Sequence, residues 1–238
     1  MKLSDFQALT FDCYGTLIDW ETGLLAALQG LVACAPRRRS REEVLRDYAT
    51  HEAEQEHFSP TMKYSQLLAV VYKRLGENWG APAPWAECAN FASSLRTWEP
   101  FPDTVAALGY LKSRYKLYIL SNVDNESFSL TARKLGVQFD GIMTAEDIGT
   151  YKPSRRNFEY MLGRLASQGI EKNRILHVAQ SLVHDHVPCN ELGIASCWIN
   201  RQHGRGGAVG EISNRPRYDF TFNSMGELAD AHRTEVGR

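Results

Sequence analysis

The chain has 238 residues, 43% of them hydrophobic and 23% charged, which suits one globular unit of moderate size or a core carrying an insertion. Its 27 basic and 28 acidic residues leave a net charge of −1; this excludes a strongly basic nucleic-acid footprint, and the run Arg37-Arg38-Arg39 reads as a solvated helix connection. No apolar run reaches the length of a membrane span, Met1–Asp5 lacks a signal-peptide pattern, and the five cysteines (Cys13, Cys34, Cys88, Cys189 and Cys197) have no CxxC spacing, so reduced thiols in a cytoplasmic protein are expected.

The first expected element is a buried strand. Phe6-Gln7-Ala8-Leu9-Thr10-Phe11 is apolar and closes on Asp12, after which Gly15-Thr16 forces a turn. A carboxylate is thereby set at the carboxyl end of a strand, where open α/β sheets bind ligands. Two places on stands Tyr14, an aromatic where a second carboxylate could have served as proton donor. From about Trp20 to Thr97 the pattern is helical. Leu24, Leu25, Leu28, Leu31 and Val32 recur at helix spacing. Ser40 and Glu43 form a capping box opening a helix with Val44, Leu45 and Tyr48 on one face. Met62 to Leu75 is amphipathic and stops at Gly76, and Pro84 to Leu95 is a fourth helix.

Pro100 and Pro102 mark a boundary. Strands are then expected at Lys116–Leu120, Gly141–Thr144, Ile175–Ala179, Ala195–Ile199 and Tyr218–Phe222. Helices lie between and after them: Glu126 to Leu135, Ser154 to Leu165, one near Pro188 that ends by Gly193, and one from Ser224. This alternation predicts an α/β fold with a doubly wound (Rossmann-like) parallel sheet. Residues 1–18 and 98–238 form its α/β catalytic core, and 19–97 form an inserted helical cap. The Gly-rich loop 201–217 is expected to be mobile; it lacks the context of a phosphate-binding loop.

Three further signals fall at predicted strand ends. Ser121-Asn122 follows the second strand, Lys152-Pro153 follows the third, and Asp185 lies shortly after His177-Val178-Ala179-Gln180-Ser181. Singly, each has a plain explanation: a turn, an exposed lysine, a residue placed for a helix dipole. On one edge of one parallel sheet they converge on Asp12. The set resembles the haloacid dehalogenase superfamily over nearly the whole chain, and within it the type II (L-2-haloacid) dehalogenase branch, whose first motif is Asp-x-Tyr-Gly-Thr. Most members of that superfamily are magnesium-dependent phosphatases, with Asp at the position of Tyr14 and a metal-binding Asp at that of Gln180. A phosphatase expels an alkoxide, which needs a general acid, and brings a phosphate dianion against a carboxylate, which demands a hard cation. A halide leaves without protonation.

The resemblance therefore implies a hydrolase acting on carbon–halide bonds without metal or cofactor, turning small 2-haloacids into 2-hydroxy acids. Asp12 is the expected nucleophile, forming an aspartyl ester. Lys152 keeps it charged, and the Ser121 and Thr16 hydroxyls orient it. Asn122 and backbone N–H groups near Tyr14 are candidates for the substrate carboxylate, with the Tyr14 ring on the pocket floor. Asp185, with Ser181, is the implied base for ester hydrolysis; His184 competes with it, while His177 and His186 are read as structural. The branch holds the departing halide with a cap arginine, matched by Arg46 or alternatively Arg41; an exposed arginine in an i,i+4 pair is the plain reading of either. Two departures stand out. The loop from Ala179 to Asp185 is one residue longer than the branch's Ser-Ser-Asn-x-x-Asp pattern, and Phe158 falls where a tyrosine is frequent. Family habit and apolar cap-helix faces imply a homodimer with no nucleic-acid or membrane partner. The rivals are a magnesium-dependent phosphatase of the same fold and a catalytically idle binding domain.

Overall fold

A parallel strand covered on both faces must be apolar throughout, and Ala8–Phe11 (β1) is buried at every residue in the computed structural model, which describes residues 1–201 and 215–237. Five further strands join it: Lys116–Ser121 (β2), Gly141–Thr144 (β3), Ile175–Ala179 (β4), Ala195–Ile199 (β5) and Phe220–Phe222 (β6). All pair in parallel, in the order β3-β2-β1-β4-β5-β6. The chain thus runs outward from β1 in one direction and outward from β4 in the other. The crevice between the carboxyl ends of β1 and β4 is the topological switch point, where such sheets bind ligands.

Alternate residues of the strands feed two apolar layers. Leu9, Phe11, Leu117, Ile119 and Val178 pack on one side with Leu108, Phe128 and Leu228, which lie on the helices Thr104–Lys112 (α5), Asn125–Leu135 (α6) and Met225–Val236 (α10). Ala8, Tyr118, Leu120 and Ile175 pack on the other with Phe158, Met161 and Leu165 of Arg155–Ala166 (α8) and Cys189 of Val187–Leu192 (α9). A single turn, Ala145–Ile148 (α7), follows β3. The expected helices are present, and α5 is an addition. Its exposed Val105 and mid-helix Gly109 blur the periodicity that a sequence reading needs.

Four helices follow β1 before the sheet resumes: Trp20–Cys34 (α1), Arg41–Phe58 (α2), Tyr64–Trp79 (α3) and Trp85–Ala92 (α4). The first apolar layer continues through Leu17 and Ile18 into their inner faces. The Ser40–Glu43 capping box forms as expected. Arg39 does not: its side chain is buried with the guanidinium 4.7 Å from the Trp79 ring. Nor does α3 stop at Gly76. It runs one turn further to Gly80, whose φ of +65° ends it. Gly76 serves packing instead, because a Cβ there would lie 2.4 Å from the Ala83 Cβ. No described helix is long and apolar enough to cross a membrane. Most of the Gly-rich loop, residues 202–214, lies outside the described residues.

The close approach at Gly76 makes a direct prediction. Gly76→Val forces the segment bearing Ala83 away from α3 and should cost about 1–3 kcal/mol, read as a lowered urea midpoint with unchanged slope.

Candidate active site

Asp12 leaves the end of β1 with its N–H donated to the Val178 carbonyl of β4 at 3.1 Å. The residue is 7% exposed. Thr16 donates its hydroxyl to Asp12 Oδ2 at 2.7 Å, and Lys152 Nζ donates to Oδ1 at 2.8 Å. The turn between Asp12 and Thr16 needs Gly15, whose φ is +94° and against which the Trp20 indole lies. Thr16 is held in turn. Its hydroxyl accepts the Gln180 N–H at 2.8 Å, and its carbonyl accepts two bonds from the Arg201 guanidinium. Arg201 also pairs with Asp103 at 2.7 Å and stacks 4.1 Å from the Phe101 ring. A sequence reading passes over Arg201 as the first residue of a polar loop; its position just after β5, on the ligand-binding edge, was the available signal.

Lys152 is 2% exposed and reaches three acceptors: Asp12, Asp185 Oδ1 at 2.7 Å, and the Leu120 carbonyl at 3.1 Å. Burial alone would lower its pKa, but the charges of Asp12 and Asp185 outweigh it and hold the ammonium well above the usual lysine range. Asp185 is fully buried. Desolvation would raise its pKa, yet Lys152 and His177 hold it far below the ordinary carboxylate range. His177 Nε2 lies 2.9 Å from Asp185 Oδ1, and its Nδ1 is 2.8 Å from the Thr10 hydroxyl. Because a carboxylate can only accept, Nε2 carries a proton and donates it to Asp185. Asp185 Oδ2 and Ser121 Oγ are buried without a hydrogen-bond partner among the described residues.

The geometry redistributes several expected roles. Asp12, Thr16, Lys152 and Asp185 come together, with Ser121 at the end of β2, one residue beyond the Leu120 carbonyl that Lys152 binds. Tyr14 is turned onto the scaffold: its hydroxyl bonds Thr131 of α6 at 2.7 Å and its ring meets Trp98 edge-on. Ser181 caps the turn at Leu182–His186 by accepting the His184 N–H, so it stabilises the loop rather than Asp185. His184 is half-buried, and desolvation lowers its pKa. Asn122 is occupied by Lys152 backbone groups and by Glu56 of α2. Arg46 is exposed, on a different face from the buried Val44, Leu45 and Tyr48, and Arg41 pairs with Glu21 at the surface. Helix phase thus removes both arginines from the cluster. Burial and the Asp12 charge push the Cys13 thiol up, so it is no rival nucleophile. Phe158 packs edge-on against His177 at 5.4 Å.

The haloacid dehalogenase-like hydrolase family matches residues 6–181. The chain belongs to that family. Among its curated relatives, the pyrimidine 5'-nucleotidase YjjG of Escherichia coli is 26% identical over 44% of this chain, and the match spans 46% of that enzyme. The (S)-2-haloacid dehalogenase 4A of Burkholderia cepacia is 25% identical over 95% of this chain and 94% of its own length. The L-2-haloacid dehalogenase of Xanthobacter autotrophicus, solved with chloropropionic acid covalently bound, has the same fold: TM-score 0.77, 17% identity, covering 96% of this chain and 98% of that one.

Within this family site, Lys152 carries the charge balance. Lys152→Met leaves two buried carboxylates facing each other and should cost about 3–5 kcal/mol, measured by urea unfolding at pH 7.

His186, whose two nitrogens bond the Ala179 carbonyl and the Ser196 hydroxyl, carries a pH signature. Burial lowers its pKa from 6.5 to about 4. The unfolded chain therefore binds this proton more readily, and stability falls as pH drops from about 6.5 to about 4. The loss should reach about 3 kcal/mol. His186→Asn should remove that slope in unfolding free energy against pH. The Asp185 contribution, from a depressed pKa, is lost only below the unfolded carboxylate value of about 3.9.

Proposed function

We propose that this hydrolase is a metal-independent dehalogenase of small 2-haloalkanoic acids, working through a covalent ester on Asp12, with the helical segment 19–97 acting as a cap over the pocket. An Asp12 oxygen attacks C2, a C–O bond forms, and the carbon–halogen bond breaks with its electron pair leaving on the halide. Water then adds to the ester carbonyl carbon of Asp12. The bond from that carbon to the substrate oxygen breaks, releasing the 2-hydroxy acid and leaving one water oxygen in Asp12. Asp185, the base that the resemblance implies, takes the water proton only in passing and returns it to the departing alkoxide oxygen, which becomes the product hydroxyl.

One observation carries this reading: Asp12 is aimed by Thr16 and Lys152, and the position two residues on, where a phosphatase keeps its acid, holds Tyr14 with its hydroxyl bonded to Thr131. An alkoxide leaving group would go unprotonated there; a halide needs no proton. The donor set also suits a divalent cation poorly. A cation would compete with Lys152 for both carboxylates, and Gln180 offers an amide where a third carboxylate is wanted. Among the described residues no group of three His, Cys, Asp or Glu side chains is arranged to hold a metal ion. The relative from Burkholderia cepacia, aligned over nearly its full length, supports the same chemistry.

Asp12→Asn should lower halide release from 2-chloropropionate about 10⁴-fold or more, followed by ion chromatography in the presence of EDTA. Single turnover of wild type in ¹⁸O water should place the label in Asp12. Chelator-sensitive phosphate release from phosphomonoesters, with no halide release, would replace this reading by the phosphatase one.

A further inference from the structure

The cap faces the site with acid rather than base. Glu56 of α2 is 9% exposed, and its Oε1 accepts the Asn122 Nδ2–H at 3.1 Å. One turn earlier on the same helix, Glu52 accepts the hydroxyls of Tyr48 at 2.8 Å and Tyr64 at 2.5 Å. Asn122 has one side-chain acceptor and two donors. The acceptor takes the Lys152 N–H at 2.7 Å, and the donors go to the Lys152 carbonyl at 3.2 Å and to Glu56. All three are spent, so Asn122 is a strut between the lysine loop and the cap and has nothing left for a substrate.

We propose that Glu56 is the specificity-determining residue of this pocket, holding the substrate's carboxylate by donating an O–H···O bond from its own carboxyl. The inference rests on the haloacid reading above and names the group that recognises the acid. An anionic Glu56 would repel a haloacid; a neutral one is a donor, and an acid–carboxylate bond is short and strong. The surroundings select the neutral form. Burial and the Glu52 charge push Glu56 well above the ordinary range, against the smaller pull of Asn122 and Lys152. Glu52 is raised by burial too, but its two phenol donors favour its anion. Both carboxyls are thus raised, Glu56 well above its ordinary range, and Glu56 lacks the two phenol donors that favour the anion of Glu52. The groups facing Glu56 are Glu52 and Tyr48 on its own helix, Asn122 after β2, Lys152, and Tyr151, whose hydroxyl bonds the Met62 carbonyl.

A bond that needs this proton is lost as pH rises through the Glu56 pKa. Two readouts separate the recognition from the reaction. In the first, isobutyrate, a haloacid shape with no leaving group, is titrated calorimetrically into the full chain across the pH range. Wild-type affinity should fall about tenfold per pH unit above the transition. In Glu56→Gln, whose amide donates at any pH, affinity should be flat, and in Glu52→Gln the fall should begin at lower pH. In the second, KM for 2-chloropropionate should rise with pH in the same pattern while kcat does not. A protonated-carboxyl infrared band lost in Glu56→Gln completes the set. Flat wild-type affinity, an unaltered fall in Glu56→Gln, or absence of that band overturns the proposal. Isobutyrate binding with the expected pH pattern but no halide release leaves the recognition standing and removes the reaction.

Discussion

A single ammonium between two buried carboxylates governs this site. Lys152 Nζ lies 2.8 Å from Asp12 and 2.7 Å from Asp185, all three nearly or wholly out of water. Burying charge costs several kcal/mol per ion, recovered only when geometry is good and remaining valences are filled. Here Thr16 fills one oxygen of Asp12, His177 joins Lys152 on Asp185, and the Leu120 carbonyl takes a further lysine proton. The arrangement fixes both oxygens of the Asp12 side chain, one on Thr16 and one on Lys152, at the carboxyl edge of the sheet.

The sheet order makes this meeting possible. Asp12 follows β1 and Asp185 follows β4, neighbours in the sheet although far apart in sequence. Lys152 comes from the loop beyond β3, two strands from β1 and three from β4, and its length bridges the gap. Each loop is then locked by a distant side chain. Arg201 clamps Thr16 from beyond β5, and Asn122 ties the Lys152 backbone to β2 and α2. Further ties join the cap to the same edge: Asp124 accepts the Ser65 N–H at 2.8 Å, and Lys63 pairs with Glu146 at 2.7 Å. The helical segment is thereby bonded to the residues that frame the reaction, not merely laid over them.

Much of the fold was legible because its signals are local. Strand ends, caps and helix faces depend on residues a few places apart, and the capping box at Ser40 and the glycine stop at Gly136 are where spacing puts them. Gly76 misled because a glycine kept for close contact with Ala83 looks the same in sequence as one that ends a helix. α5 escaped notice because its apolar residues do not cluster on one stripe. Arg46 looked suitable by type, but its helix phase points it to solvent.

The order of residues alone determined that a carboxylate follows the first strand, that no acid stands two places later, and that a serine, a lysine and a second aspartate lie at or beyond the ends of other strands. Those facts need only the period of the backbone and the rule that parallel sheets gather strand ends on one edge. Tertiary structure alone decided which donors remain free. Tyr14 is spent on Thr131, Asn122 on Lys152 and Glu56, and Ser181 on its own turn, while Glu56 of α2 reaches Asn122 and Arg46 of the same helix is left at the surface. Hydrogen-bond valence is used up by partners that may lie a hundred residues away, and no local pattern records that.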